Sequence, residues 1–154
     1  MEIKRSKYDG MVHGICMILL FGMSLYLIIN WGELPSRVPA HYNAAGQIDR
    51  WASKAELWFL PIVGWILYIG ITFIERFPQI WNTGVAITEE NRERVYRTLK
   101  DMIETVKLII ISVFTLLNIN SILAVELPIW FLSIFLILIF GTIFLFMRKL
   151  LKIK

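Results

Sequence analysis

Charge is scarce in this chain. Only 18% of its 154 residues are Asp, Glu, Lys or Arg, against about a quarter in soluble domains. Too few polar side chains are present to cover a soluble surface, which excludes a soluble enzyme and a disordered regulator. A single cysteine, Cys16, excludes an internal disulfide and a Cys-rich zinc site. The two histidines, His13 and His41, flank the first apolar run. A helix rising about 1.5 Å per residue sets them near opposite membrane faces, so a shared metal is not expected. None of the apolar runs carries an acidic residue at mid-depth, which argues against a proton-coupled transporter. There is no internal repeat and no low-complexity tract.

What is abundant is apolar. Hydrophobic residues make up 57% of the chain, and the mean hydropathy is +0.64. The runs reach the roughly 20 residues needed to cross a hydrocarbon core. The pattern predicts an all-α membrane protein, a four-transmembrane-helix bundle forming one integral membrane domain over 1–154. Its spans are expected at about 11–30, 57–74, 106–125 and 127–147. The basic start MEIKRSK resembles a signal peptide. The run behind it exceeds the usual 7–15 or so residues and ends in Asn30-Trp31-Gly32 without a small-residue cleavage site, so it reads as a retained span. Pro61 falls in the first turn of the second span, where a missing N–H is tolerated. Little more than Glu126 separates the last two spans, and Pro128 is expected to open the fourth. That reads as a tight helical hairpin.

Lys and Arg set the orientation. Thirteen of the 16 flank one side: Lys4, Arg5 and Lys7, then six from Arg76 to Lys107, then Arg148, Lys149, Lys152 and Lys154. Only Arg37, Arg50 and Lys54 fall on the other. The chain is expected to be a multi-pass protein of the cell membrane with both termini cytoplasmic. The net charge of +4 has its source in this bias and implies no direct contact with nucleic acid.

Two loops carry the remaining signal. The cytoplasmic loop 75–105 contains an amphipathic helix starting near Thr88, a suitable N-cap, with Glu89 and Glu90 at the positive end of its dipole. Val95, Leu99, Met102, Ile103 and Val106 form an apolar stripe. Glu90–Arg94, Glu93–Arg97 and Lys100–Glu104 are spaced as i,i+4 pairs. This helix either rests on the inner leaflet or runs straight into the third span. Val95, Leu99 and Ile103 are the candidate face for docking a cytoplasmic regulator.

The external loop 31–56 is denser in information. Pro35 and Pro39 stiffen it, and His41 and Asn43 share a face if the chain is extended. Asn43-Ala44-Ala45-Gly46 has turn composition. Asp49 can cap the next segment or pair with Arg50 or Lys54, and Trp51 and Trp58 suit a membrane interface. The string LPxxVPxHYNxxGxxDRWxSK, Leu34 to Lys54, resembles a bacterial domain-of-unknown-function family that also forms the N-terminal part of SdpI-type immunity proteins. Phe77-Pro78 and Ile87 to Arg97 are similar to that family as well. The resemblance implies protection against a secreted antimicrobial peptide, and signalling through a cytoplasmic regulator held at the membrane. Beyond the second span there is no counterpart of the GIRTPWT-like segment of those immunity proteins.

His41 near Asp49 has the makings of a base and its orienting carboxylate. No nucleophile accompanies them, since Ser36 and Ser53 lack supporting context and Cys16 is in a span. An enzyme is therefore not expected, nor is a cofactor, a metal or any catalytic residue. Ser112, Thr115 and Asn118 form a polar stripe suited to interhelical hydrogen bonding. The leading expectation is a non-enzymatic immunity or envelope-sensing protein. It would recognise an external peptide or membrane lipid through His41, Asn43, Gly46, Asp49, Trp51 and Lys54. The alternative is an accessory subunit that stabilises or regulates a larger membrane complex such as a transporter.

Overall fold

The computed structural model describes residues 3–153. It is 67% helical, and four of its helices are long and apolar enough to cross a membrane. They are α1 (Lys7–Asn30), α2 (Phe59–Ile74), α3 (Arg92–Leu123) and α4 (Phe131–Leu151). Between α1 and α2 the loop folds into two antiparallel strands, β1 (Arg37–Tyr42) and β2 (Ile48–Ser53). A 3-10 turn over Lys54–Trp58 then leads into α2.

α1 begins earlier than hydropathy suggested because Ser6 and Asp9 form a capping box. Ser6 Oγ accepts from the Asp9 amide at 3.2 Å, and the Ser6 amide donates to Asp9 Oδ2 at 3.1 Å. Asp9 is fully buried because α3 comes to meet it. The Arg97 guanidinium clasps its carboxylate, and Lys100 Nζ lies 3.0 Å from Oδ2. One face of α1 then packs against α3. Val12, Cys16, Leu20 and Met23 recur at three- and four-residue steps, are fully buried, and meet Ile111.

α3 is the hub, with α1, α2 and α4 all packed on it. Its 32 residues extend about 48 Å, well beyond the roughly 30 Å of a hydrocarbon core. The amphipathic helix of the second loop is therefore the first third of α3, running straight into the span. It starts later than Thr88, at Arg92 with Asn91 as N-cap. Thr88 and Asn91 instead bond reciprocally, Thr88 N donating to Asn91 Oδ1 at 2.9 Å and Asn91 N to Thr88 Oγ1 at 3.2 Å. The expected Glu93–Arg97 and Lys100–Glu104 pairs give way to contacts with Asp9 of α1 and to a different i,i+4 pair within α3. Arg97 pairs with Asp9 and Asp101, and Lys100 with Asp9. A buried partner on another helix offers a drier environment than a neighbour on the same exposed face.

The tight turn before α4 is longer than expected. Ala124 ends α3 in the left-handed conformation, at φ 53°. Pro128 lies in the connection rather than in the helix, its carbonyl accepting from Phe131 N at 2.8 Å. Among the described residues α4 packs chiefly on α3 and leaves Ile137, Phe140, Phe144 and Leu145 exposed. Such a helix needs an apolar medium around it.

Candidate functional site

The β-hairpin caps the end of the bundle where α1 meets α2 and α3 meets α4. Its register carries two compensating irregularities. Pro39 faces Trp51, His41 faces Arg50 and Tyr42 faces Ile48, so Ala40 and Asp49 are each skipped. A skipped residue is freed from the ladder and its side chain re-aimed. Asp49 uses that freedom to reach across, its Oδ1 lying 2.6 Å from His41 Nδ1. Both side chains are open to solvent, 62% and 41% exposed. Asp49 thus pairs with His41, not with Arg50 or Lys54. Arg50 fills the gap at Ala40, donating to its carbonyl at 3.1 Å and to Glu56 Oε2 at 2.9 Å.

The other loop residues singled out from the sequence hold the hairpin in place. Asn43 Oδ1 accepts from the amides of Ala45 and Gln47 at 2.9 and 3.0 Å, closing the turn. Gly46 has φ +84° and lies against the α3–α4 connection, its carbonyl accepting from Leu127 N at 2.9 Å. A Cβ there would fall 2.2 Å from the Leu127 carbonyl oxygen. Lys54 Nζ donates to the Trp31 carbonyl at 3.0 Å and sits over the Trp31 ring. Trp51 is half-exposed on the outer strand. Sequence reasoning grouped six residues as one surface. Only His41, Asp49 and Trp51 present themselves to solvent.

Beneath the hairpin lies a cavity of about 760 Å³ that the sequence did not reveal. Phe59 and Leu60 of α2, Leu117 of α3, and Phe131 and Phe135 of α4 supply apolar walls, and Tyr42 and Gly46 roof it. Its polar floor comes from the stripe on α3. Asn118 is buried, and its Nδ2 donates to the Leu57 carbonyl at 2.7 Å. Its Oδ1 receives no hydrogen bond among the described residues. Tyr42 OH lies 3.4 Å from Ser121 Oγ. Burial raises the Tyr42 phenol above its ordinary pKa, the Ser121 contact opposing it only in part, so Tyr42 stays a neutral donor. The chamber can therefore take an apolar group bearing a hydrogen-bond donor.

Residues 18–64 match the family model of a domain of unknown function (DUF1648). The matched DUF1648 segment runs from α1 through the hairpin into the first turns of α2, and so includes every loop residue named above. The chain is also similar to an uncharacterized protein of the archaeon Archaeoglobus fulgidus. The two are 29% identical over 139 residues, covering 79% of this chain and 76% of that one. No solved structure matches.

The stripe expected to dock a regulator is largely covered from within. Val95 and Leu99 are buried against Leu150 of α4, with Trp81, Val85 and Met147 packed around them, while Ile103 is half-buried. At the same end of the bundle the fold assembles a group that sequence reasoning passed over. His13 meets Glu75 and Glu104, and Lys107 bridges the two carboxylates. One signal was available, the i,i+3 pair Glu104–Lys107 inside the predicted entry to the third span. Glu75 stands at the end of α2 and gives no pattern of its own.

Proposed function

We propose that this is a non-enzymatic membrane protein of the immunity or envelope-sensing kind, whose hairpin end faces outside and recognises an amphipathic peptide. The observation that carries this reading is the chamber under the hairpin, with aromatic walls and the unpaired Asn118 acceptor at its floor. A peptide brings apolar side chains for the walls and a backbone N–H for Asn118. The immunity assignment itself rests on the resemblance of the Leu34–Lys54 string to SdpI-type proteins. In this reading the solvent-facing His41–Asp49 pair meets the ligand first, and the chamber holds it. The accessory-subunit reading is favoured by one feature, the exposed apolar face of α4, which a neighbouring subunit could cover as well as lipid.

The orientation is tested with single introduced cysteines, since the native Cys16 is fully buried and gives little background. Cysteine placed at His41 should react with a membrane-impermeant reagent on intact cells, and cysteine placed at Arg94 should not. Labelling at Arg94 from outside would reverse the orientation.

Recognition is tested in cells lacking the protein, complemented with variants and challenged with a panel of secreted antimicrobial peptides. Leu117→Trp fills the chamber and should lower protection at least about tenfold, equivalent to roughly 1.4 kcal/mol of binding. Asp49→Ala should act in the same direction while leaving the unfolding temperature in detergent near that of the parent. Full protection by both variants, or no peptide to which deletion sensitises the cell, would defeat the proposal. Dependence on one lipid in place of any peptide would redirect it to lipid recognition.

A further inference from the structure

The cluster at the opposite end of the bundle has the geometry of a cation site. His13 comes from α1, Glu75 directly succeeds α2, and Glu104 and Lys107 lie on α3. Each carboxylate divides its oxygens between two neighbours. Glu75 Oε1 and Glu104 Oε2 lie 2.8 and 2.9 Å from Lys107 Nζ. Glu75 Oε2 and Glu104 Oε1 turn the other way, 3.8 and 3.3 Å from His13 Nε2. The remaining ring nitrogen, Nδ1, lies 3.2 Å from Tyr68 OH. An imidazole that donates Nδ1–H to Tyr68 points the Nε2 lone pair at two carboxylate oxygens. In that tautomer three electron-rich atoms face one another, an arrangement that a cation completes; in the other, Nε2–H donates to Glu104 Oε1 and a metal must displace that proton.

With Nδ1–H turned to Tyr68, His13, Glu75 and Glu104 frame a hole for a metal ion. The three ligand atoms lie within 4.8 Å of one another. A tetrahedral zinc with bonds of about 2.0–2.1 Å spaces its ligands about 3.3 Å apart, the distance already present between His13 and Glu104, so the widest pair must close by up to about 1.5 Å. Glu104 is fully buried and only partly compensated: Lys107 Nζ lies 2.9 Å from its Oε2, while its Oε1 faces His13 Nε2 at 3.3 Å. Access is provided by an adjoining polar cavity of about 530 Å³. His13, Glu75 and Thr72 line it together with the basic Arg5, Arg76 and Lys100, and the buried Thr72 hydroxyl has no partner among the described residues.

We infer that His13, Glu75 and Glu104 bind one divalent cation of the zinc class, with its fourth position open to this cavity and filled by water that Thr72 can hydrogen-bond. An imidazole with two carboxylates selects zinc-like ions over magnesium and calcium, which take all-oxygen sets. Lys107 and Tyr68 are positioning residues: one fixes both carboxylates and the other fixes the ring, as the outer contacts of metal ligands do. Lys107 also offsets one of the two buried negative charges, so the site persists when the metal leaves. Counting His and Cys along the sequence could not find it, because two of the ligands are carboxylates and the three come from separate parts of the chain: α1, the end of α2 and α3.

The test uses the full-length protein purified in detergent, stripped with a chelator and titrated with zinc chloride by calorimetry. Metal content is read by mass spectrometry. One zinc per chain is expected to bind and to raise the unfolding temperature. Tyr68→Phe keeps all three ligands and should weaken zinc binding by about 10–100-fold, while His13→Gln should abolish it. His41→Ala, at the far end of the molecule, should bind as the parent does. Absence of zinc binding by the parent, magnesium binding as tightly as zinc, or unchanged affinity in Tyr68→Phe would each overturn the site. Should His13→Gln fail to accumulate, Tyr68→Phe decides alone.

Discussion

Lys107→Met should unfold the protein in detergent on the order of 10 °C earlier than the parent. Lys107 is fully buried and holds Glu75 and Glu104 at 2.8 and 2.9 Å, both of them buried as well. Removing the ammonium leaves two carboxylates facing each other without compensation. Breaking a buried ion pair from one side costs about 3–5 kcal/mol, and each kcal/mol moves the midpoint of a chain this long by roughly 2–4 °C. A second variant separates charge from packing. Lys107→Met combined with Glu75→Gln and Glu104→Gln removes the stranded charges and should recover most of the loss. If the single variant unfolds no earlier than the parent, the cluster is more hydrated than its burial indicates. If the triple variant recovers nothing, the lysine acts through the packing of its stem.

Gly46→Ala should detach the hairpin from the bundle without unfolding the helices. The methyl group meets two obstacles together: a φ of +84° and the Leu127 carbonyl oxygen 2.2 Å away. The obstructing atom belongs to backbone, so no side chain can swing aside. Strain of this kind costs about 1–3 kcal/mol, and loss of the bond from Leu127 N to Gly46 O adds about 1 kcal/mol. The direct readout is hydrogen exchange at the Leu127 amide, which should quicken by at least about tenfold if 1.4 kcal/mol or more of protection is lost. The Val95 amide, at the other end of α3, should exchange as before. Unchanged exchange at Leu127 would mean that the hairpin is held by Lys54 and the Tyr42–Ser121 contact without help from its tip.

The turn at the hairpin's tip was legible in advance, whereas the two strands and their division of labour were not. Asn43 and Gly46 were readable as a turn because an amide side chain and a positive φ leave a compositional trace. That Gly46 abuts Leu127, some 80 residues away in sequence, leaves none. His41 and Asp49 were both picked out, yet Asp49 had three plausible partners. The skipped register at Ala40 and Asp49 decided among them. The amphipathic stripe was read as a docking face for a cytoplasmic regulator, whereas Val95 and Leu99 pack against Leu150 of the same chain.

The sequence by itself determined the medium, the number of long helices and where the two informative loops lie. Hydropathy and helical periodicity are properties of neighbouring residues, and each span satisfies its own backbone hydrogen bonds without reference to the others. Tertiary structure alone decided which polar groups lie inside. Asp9, Glu75, Glu104 and Lys107 look like ordinary helix-end charges when read along the chain, as they all fall near span boundaries. Packing α1 and α2 on α3 carries them out of water together, and the chamber under the hairpin is walled jointly by residues of α2, α3 and α4. Burial of a charge is a fact about the neighbours that surround it in space, which the local pattern around any one of these residues does not encode.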